Sequence, residues 1–172
     1  MTTLLGLLTR LRAWRDDDAE AIFRACQDAD VQRFTTVPSP YRREDADWFL
    51  AHHVHDVEGE GGASFCLEGL EAPGRVAGSM ALLHVRDGVG EIGYWTAAEA
   101  RGRGWTADGL ATLAAWTFAE RECRRLELVI ERANEASTGV ARRVGFRADR
   151  EEPARVLRDG SVRDVVVHVL EA

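Results

Sequence analysis

The residue types best suited to chemistry fall together in one run, Glu91-Ile92-Gly93-Tyr94-Trp95-Thr96-Ala97-Ala98-Glu99-Ala100-Arg101-Gly102-Arg103-Gly104-Trp105-Thr106. It reads as a strand, a short loop crowded with arginine and glycine, and a helix from near Trp105 that carries Leu110, Leu113, Ala114 and Thr117 on one face. Backbone N–H groups at a helix start lack intrahelical partners, and the helix dipole adds partial positive charge there. Gly102 and Gly104 remove the Cβ atoms that would keep a ligand from the backbone. Arg101 and Arg103 supply bidentate donors that suit phosphate oxygens. The ligand implied is a pyrophosphate or a group like it. A P-loop requires lysine, and all 22 basic residues of this chain are arginine. A dinucleotide fingerprint requires a third glycine where Ala107 stands.

The loop resembles the acetyl-CoA loop of the GNAT acyltransferase superfamily, R/Q-x-x-G-x-G/A, with Arg101, Gly104 and Thr106 in the marked places. Thr106 departs from the usual glycine or alanine, which bears on how closely the last amide can approach a phosphate. Other stretches resemble the RimJ/RimL-like branch in the same order along the chain. They are Leu8 to Arg15 followed by Asp16-Asp17-Asp18-Ala19, Pro40-Tyr41 with Glu44-Asp45-Ala46, and the strand Glu91-Ile92-Gly93-Tyr94-Trp95. Asn134 to Ser137 with Val144-Gly145-Phe146, and Asp164 ahead of Val165-Val166-Val167, complete the likeness.

The resemblance implies acetyl-CoA as co-substrate, held by Trp95, Thr96, Arg101, Gly102, Arg103, Gly104, Trp105, Thr106, Asn134 and Ser137. In the family the pantetheine arm lies along the strand ending at Trp95 and Thr96 as an extra edge. Ser137 matches a serine placed near the CoA sulfur, where it can protonate the leaving thiolate. The rival is plain helix capping by Asn134 and Ser137. Glu91 is the candidate general base, directly or through water, on the same strand face as Gly93 and Trp95 by period-two alternation. Its rival is a surface carboxylate. Tyr94 either closes the site or packs in it, and Arg142-Arg143 lies at the phosphate rim or on a solvated face. The implied reaction is N-acetylation of a primary amine, with a protein N-terminal α-amine ahead of a small-molecule amine or aminoglycoside. A non-catalytic acyl-CoA-binding module is the alternative of another class. The acceptor pocket is expected between Phe34–Tyr41 and the hairpin Arg155–Arg163.

Composition sets the remaining bounds. At 172 residues and 45% hydrophobic content the chain fits a single domain, 1–172, with a full core. No apolar run approaches the roughly 18 residues of a membrane span, and the leader Met1 to Leu8 lacks the basic start of a signal peptide. Cys26, Cys66 and Cys123 read as reduced thiols of a cytoplasmic protein. The formal charge of −7 argues against general nucleic-acid binding and favours a cationic substrate. His52, His53 and His55 lack the companions of a metal site, so no metal is expected. A monomer and a homodimer are both compatible with the sequence.

These residues must be positioned by an α+β fold. A strand Thr9–Arg15 is followed by a helix from Asp16 to about Asp28 and a loop from Gln32 to Tyr41, and a second helix runs from Arg42 to about Val54. Strands follow at Ser64–Glu68, Val76–His84 and Val89–Thr96, the last two joined at Arg86-Asp87-Gly88. A central helix Trp105–Arg121, a buried strand Leu126–Ile130, a helix Asn134–Val144 and a hairpin of Phe146–Arg155 with Arg163–Leu170 complete the order. The resemblance implies a mixed sheet of about seven strands, splayed at the fourth, with four flanking helices.

Overall fold

The computed structural model describes residues 2–157 and 159–172, so Met1 and Arg158, at the tip of the expected acceptor hairpin, lie outside the described residues. Eight strands form one mixed sheet: β1 (Leu4–Leu5), β2 (Thr9–Arg12), β3 (Ala63–Gly69), β4 (Gly78–Arg86), β5 (Val89–Thr96), β6 (Arg125–Glu131), β7 (Arg147–Val156) and β8 (Val162–Glu171). Their order across the sheet is β1-β2-β3-β4-β5-β6-β8-β7, and among the described residues β5–β6 is the one parallel pair. Period-two burial explains the edges and the centre. β6 buries Leu126, Leu128 and Ile130 and turns Arg125, Glu127 and Glu131 outward, whereas β3, in the middle, is buried along its whole length.

The helices are α1 (Ala19–Ala25), α2 (Ala29–Phe34), α3 (43–59), α4 (Trp105–Glu120) and α5 (Glu135–Val144). The central helix α4 buries Trp105, Leu110, Leu113, Ala114 and Thr117 against the sheet, and the Thr117 hydroxyl donates to the Leu113 carbonyl. Phe65 of β3 meets Trp116 edge to face at 5.8 Å between centroids. On the opposite sheet face a charged cluster is fully buried. Arg12 donates to both Asp18 oxygens at 2.8 Å and to Glu68 at 2.7 Å.

Several boundaries differ from the sequence expectation, each for a local reason. The first strand stops at Arg12, because Asp18 accepts from the Arg15 amide as well as from Arg12 and bends the chain. The expected first helix ends early, at Ala25, and a further short helix follows where none was expected, since Asp28 turns its carboxylate onto the Asp30 and Val31 amides and starts α2. That adds a fifth helix and shortens the expected loop from Gln32. α3 outlasts Val54 because it runs through a π-helical segment, Phe49–His53, before continuing as Val54–Gly59. The eighth strand is β1, which pairs Leu4 with Leu11 and Leu5 with Arg10.

The sheet splits where the sequence placed the gap. β4 and β5 match at eight positions and β6 and β8 at seven, but β5 and β6 match only at Val89, Gly90 and Glu91. Each strand is held firmly on its outer side, so sheet twist opens the weak seam between them. A bulge at Leu83, between Leu82 and His84, adds local twist beside the opening.

Candidate active site

Beyond Glu91 the far edge of β5 has no ladder partner. The Ala97 amide donates to the Ala77 carbonyl, and antiparallel alternation from that bond turns the backbone groups of Gly93 and Trp95 toward β4. The N–H and C=O groups of Ile92, Tyr94 and Thr96 therefore face the opening. This is an unpaired edge of the kind that takes up an extended ligand.

The open edge leads into the loop. After Ala98–Ala100 the chain passes Gly102 at φ +75° and Gly104 at φ +78°, left-handed values that favour glycine. Gly104 is the N-cap of α4, and no side chain caps that helix. The first helical bond is from the Asp108 amide to the Gly104 carbonyl, at 3.1 Å, so the Trp105, Thr106 and Ala107 amides precede the ladder. Trp105 itself is a core side chain, its ring packed so closely on Gly69 that a Cβ there would stand 2.4 Å away. The hydroxyl of Thr106 meets that of Thr96 at 2.8 Å and ties the helix start to the end of β5.

Both loop arginines have protein partners. Arg101 donates to Asp28 at 2.6 Å and to Asp30 at 3.4 Å. Its hydrogen bond is the main reason that the Asp28 carboxyl lies below the usual aspartate range. Arg103 bonds the Glu99 carbonyl and Glu71, with its guanidinium 5.1 Å from the Trp105 ring centre. The loop therefore presents backbone N–H groups at the helix start, while both of its arginine side chains are engaged by protein partners. Arg142 and Arg143, in the last turn of α5, are exposed.

Facing the opening on the α5 side, the hydroxyls of Tyr94 and Ser137 lie 2.7 Å apart. Burial pushes the Tyr94 phenol up to about 12, opposed in part by the bond to Ser137. Asn134 accepts from the Ser137 amide at 3.0 Å and is the N-cap of α5. The capping role weighed for Asn134 is thus present, and it orients Ser137, whose hydroxyl remains directed at Tyr94. Sequence reasoning had left Tyr94 between two roles and had no signal for its partner.

Glu91 lies on the other face of β5 at the last paired position, half-buried. Arg155 of β7 reaches it at 3.4 Å and bonds Glu152 at 2.9 Å. His84 is directly opposite Glu91 in register, and its Nδ1 is buried without a hydrogen-bond partner. The site thus has a hydroxyl pair on one face of the open strand and a carboxylate on the other.

One residue of each expected acceptor wall, Thr36 and Asp159, lines an open cavity of about 590 Å3 whose other lining residues fall between Trp48 and Glu60. Its lining includes the carboxylates Asp56, Glu60 and Asp159 beside His53 and His55, and Glu60 is paired with Arg86 at 3.2 Å. Two histidines of α3 belong to aromatic stacks, Trp48–His52 at 5.4 Å and Phe49–His53 at 5.0 Å, and His55 lies 3.8 Å from Glu58. Among the described residues no group of three or more His, Cys, Asp or Glu side chains could hold a metal ion, and no helix is long and apolar enough to cross a membrane. Cys26, Cys66 and Cys123 are free and buried.

Comparison with known proteins follows the same lines. The model of the acetyltransferase (GNAT) domain family matches residues 9–147. The Bacillus subtilis (strain 168) protein YdaF, provisionally named a ribosomal N-acetyltransferase, is 32% identical over 139 residues. That alignment covers 79% of this chain and 61% of YdaF. The structure of RimL, a ribosomal-protein α-N-acetyltransferase in complex with coenzyme A, superposes with a TM-score of 0.84 at 18% identity, covering 99% of this chain and 98% of RimL. Mycobacterium smegmatis RimJ in complex with CoA-disulfide gives 0.83 at 21%, covering 99% and 88%. At these identities the structural likeness speaks for the fold.

Proposed function

The chain belongs to the GNAT acetyltransferase domain family, and from that premise we propose that it transfers an acetyl group from acetyl-CoA to a primary amine. One observation carries the proposal: the pairing of β5 with β6 ends at Glu91, and the edge so freed runs into the uncapped start of α4. The residues present fit acetyl-CoA. The free N–H groups at the α4 start suit a pyrophosphate, and the open edge of Ile92, Tyr94 and Thr96 suits an extended arm with its own amides.

Acetyl-CoA supplies an activated acetyl thioester when bound. The chain's own residues then have three tasks. An N–H of the open edge, held in place by the β4 ladder, donates to the carbonyl oxygen as negative charge grows there. On the α5 side, the Tyr94–Ser137 pair holds a proton that Ser137 can deliver to the departing sulfur. On the opposite face, Glu91 takes the proton from the incoming ammonium, directly or through one water. The proton donor and the proton acceptor thus fall on the two faces of one strand.

Among amines, a protein N-terminal α-amine fits ahead of a small molecule. Its pKa near 8, against about 10.4 for lysine, leaves a neutral fraction that a modest base can draw on. The carboxylates Asp56, Glu60 and Asp159 favour a cationic acceptor at the outer cavity. YdaF and RimL carry names that point to ribosomal proteins as substrates. The test is a thiol-release assay over N-terminal peptides, lysine peptides, polyamines and aminoglycosides. Turnover of N-terminal peptides above the rest is the expected result. Turnover of aminoglycosides alone would overturn the acceptor assignment, and acetyl-CoA binding with no thiol release would favour a non-catalytic module.

A further inference from the structure

The first arginine of the acetyl-CoA loop is held by a residue far from it in sequence. Arg101 Nη2 donates to Asp28 at 2.6 Å, and Nη1 donates to Asp30 at 3.4 Å. Asp28 is itself fixed. The same Oδ1 that receives Arg101 accepts the Asp30 and Val31 amides at 3.1 Å each, which makes it the N-cap of α2. The far end of α2 is anchored as well, since the Arg33 carbonyl accepts from Arg163 at the start of β8, and Arg163 is paired with Glu131. A short helix pinned at both ends therefore presents a carboxylate to the residue that opens the cofactor loop.

A guanidinium that already serves two carboxylates is poorly placed to serve a pyrophosphate too. The two aspartates leave the local charge negative, which disfavours an anion brought onto the arginine itself. What the contact does achieve is geometric. Arg101 is the last residue before the left-handed Gly102, so holding its side chain sets where the Gly102–Thr106 amides point.

We infer that Asp28 is a positioning residue for acetyl-CoA binding: through Arg101 it holds the loop so that the backbone of residues 102–106, and not the Arg101 side chain, receives the pyrophosphate. This inference rests on the cofactor assignment of the previous section and adds to it a residue outside the loop and a changed role for Arg101.

The discriminating variant is Asp28→Asn. Asparagine caps a helix as well as aspartate does, so α2 keeps its start while Arg101 loses its ionic partner. Acetyl-CoA titrations and steady-state kinetics are run on the native chain, Asp28→Asn, Arg101→Ala and the double variant. Both single variants should weaken acetyl-CoA binding by about fivefold, the scale for a partly exposed ion pair. The double variant should be no worse than Arg101→Ala, as for two residues acting as one unit. The loss should fall on the KM for acetyl-CoA, with kcat within about twofold of native. If Asp28→Asn binds acetyl-CoA as tightly as the native chain or more tightly while Arg101→Ala loses binding, Arg101 contacts the phosphates directly and the inference is wrong. Full additivity of the two losses also overturns it. No binding by the native chain removes the cofactor assignment along with the inference, whereas native binding with an unaffected Asp28→Asn removes the inference alone.

Discussion

The hydroxyls of Tyr94 and Ser137 meet at 2.7 Å, joining the open strand of the sheet to the first turn of α5. Tyr94 keeps its proton through the whole physiological range, with its phenol pushed up to about 12. A protonated Tyr94 can donate to the Ser137 oxygen and so steady it as the serine, a feeble acid alone, gives up its proton. Ser137→Ala should lower kcat by about 100-fold, the lower range for general acid catalysis, with KM for acetyl-CoA changed little. Tyr94→Phe should lower kcat less, by about tenfold, since it removes the partner and leaves the donor. Steady-state kinetics on both variants check the order.

Glu91 should show the complementary effect from the other face of β5. Glu91→Gln keeps the side-chain shape and a hydrogen bond to Arg155 but loses the proton acceptor. Its kcat should fall by about 100-fold, and raising the pH should recover part of the loss as the acceptor amine deprotonates unaided. A rate equal to native at neutral pH would remove Glu91 from the mechanism.

The buried cluster of Arg12, Asp18 and Glu68 makes a prediction about stability. Truncation by Arg12→Ala leaves Asp18 buried without its cation and Glu68 with only Arg10 at 3.8 Å, which should cost about 3–5 kcal/mol in urea unfolding. Burial alone would raise the Glu68 carboxyl, but hydrogen bonds from the Gly74 amide and Arg12 outweigh it and hold the group below its ordinary range. A depressed carboxyl contributes stability above its unfolded value and loses it as the pH falls through the folded one. The native chain should therefore lose stability below about pH 4.5 more steeply than Glu68→Gln does. Parallel curves would mean that Glu68 is not the group responsible.

The loop makes two predictions of different size. At Gly104 a Cβ would meet no atom closer than 3.7 Å, so Gly104→Ala is penalised by its left-handed backbone and not by a clash. It should cost about 1–2 kcal/mol of stability and weaken acetyl-CoA binding as the loop readjusts. Thr106→Ala should leave binding within about twofold, because that hydroxyl is turned toward Thr96 and away from the helix start. Thermal unfolding and calorimetric titration distinguish the two.

How much of this was legible in the sequence depends on distance along the chain. The run from Glu91 to Thr106 could be read because its signals are local: an alternating strand, glycines where φ turns positive, and a helix start directly after them. The split followed from the family resemblance, not from periodicity, which carries no information on where two strands part. The contacts that give the site its geometry join residues far apart. Glu91 to Arg155, Tyr94 to Ser137 and Asp28 to Arg101 leave no trace in spacing. Asp28 reads as the end of the first helix, and the short stretch after it, Ala29 to Phe34, carries too little apolar periodicity to announce the helix that it caps. β1 is two residues long and exists only because β2 offers it an edge.

In the proposed binding mode the acyl arm lies along the edge of β5, and amide hydrogen exchange measured by NMR tests that most directly. With saturating acetyl-CoA, the amides of Tyr94 and Thr96 should exchange at least about tenfold more slowly than without it, while those of β2 and β3 stay unchanged. Acetyl-CoA binding that leaves the Tyr94 and Thr96 amides exchanging at their free rates would contradict the account and place the acyl arm elsewhere.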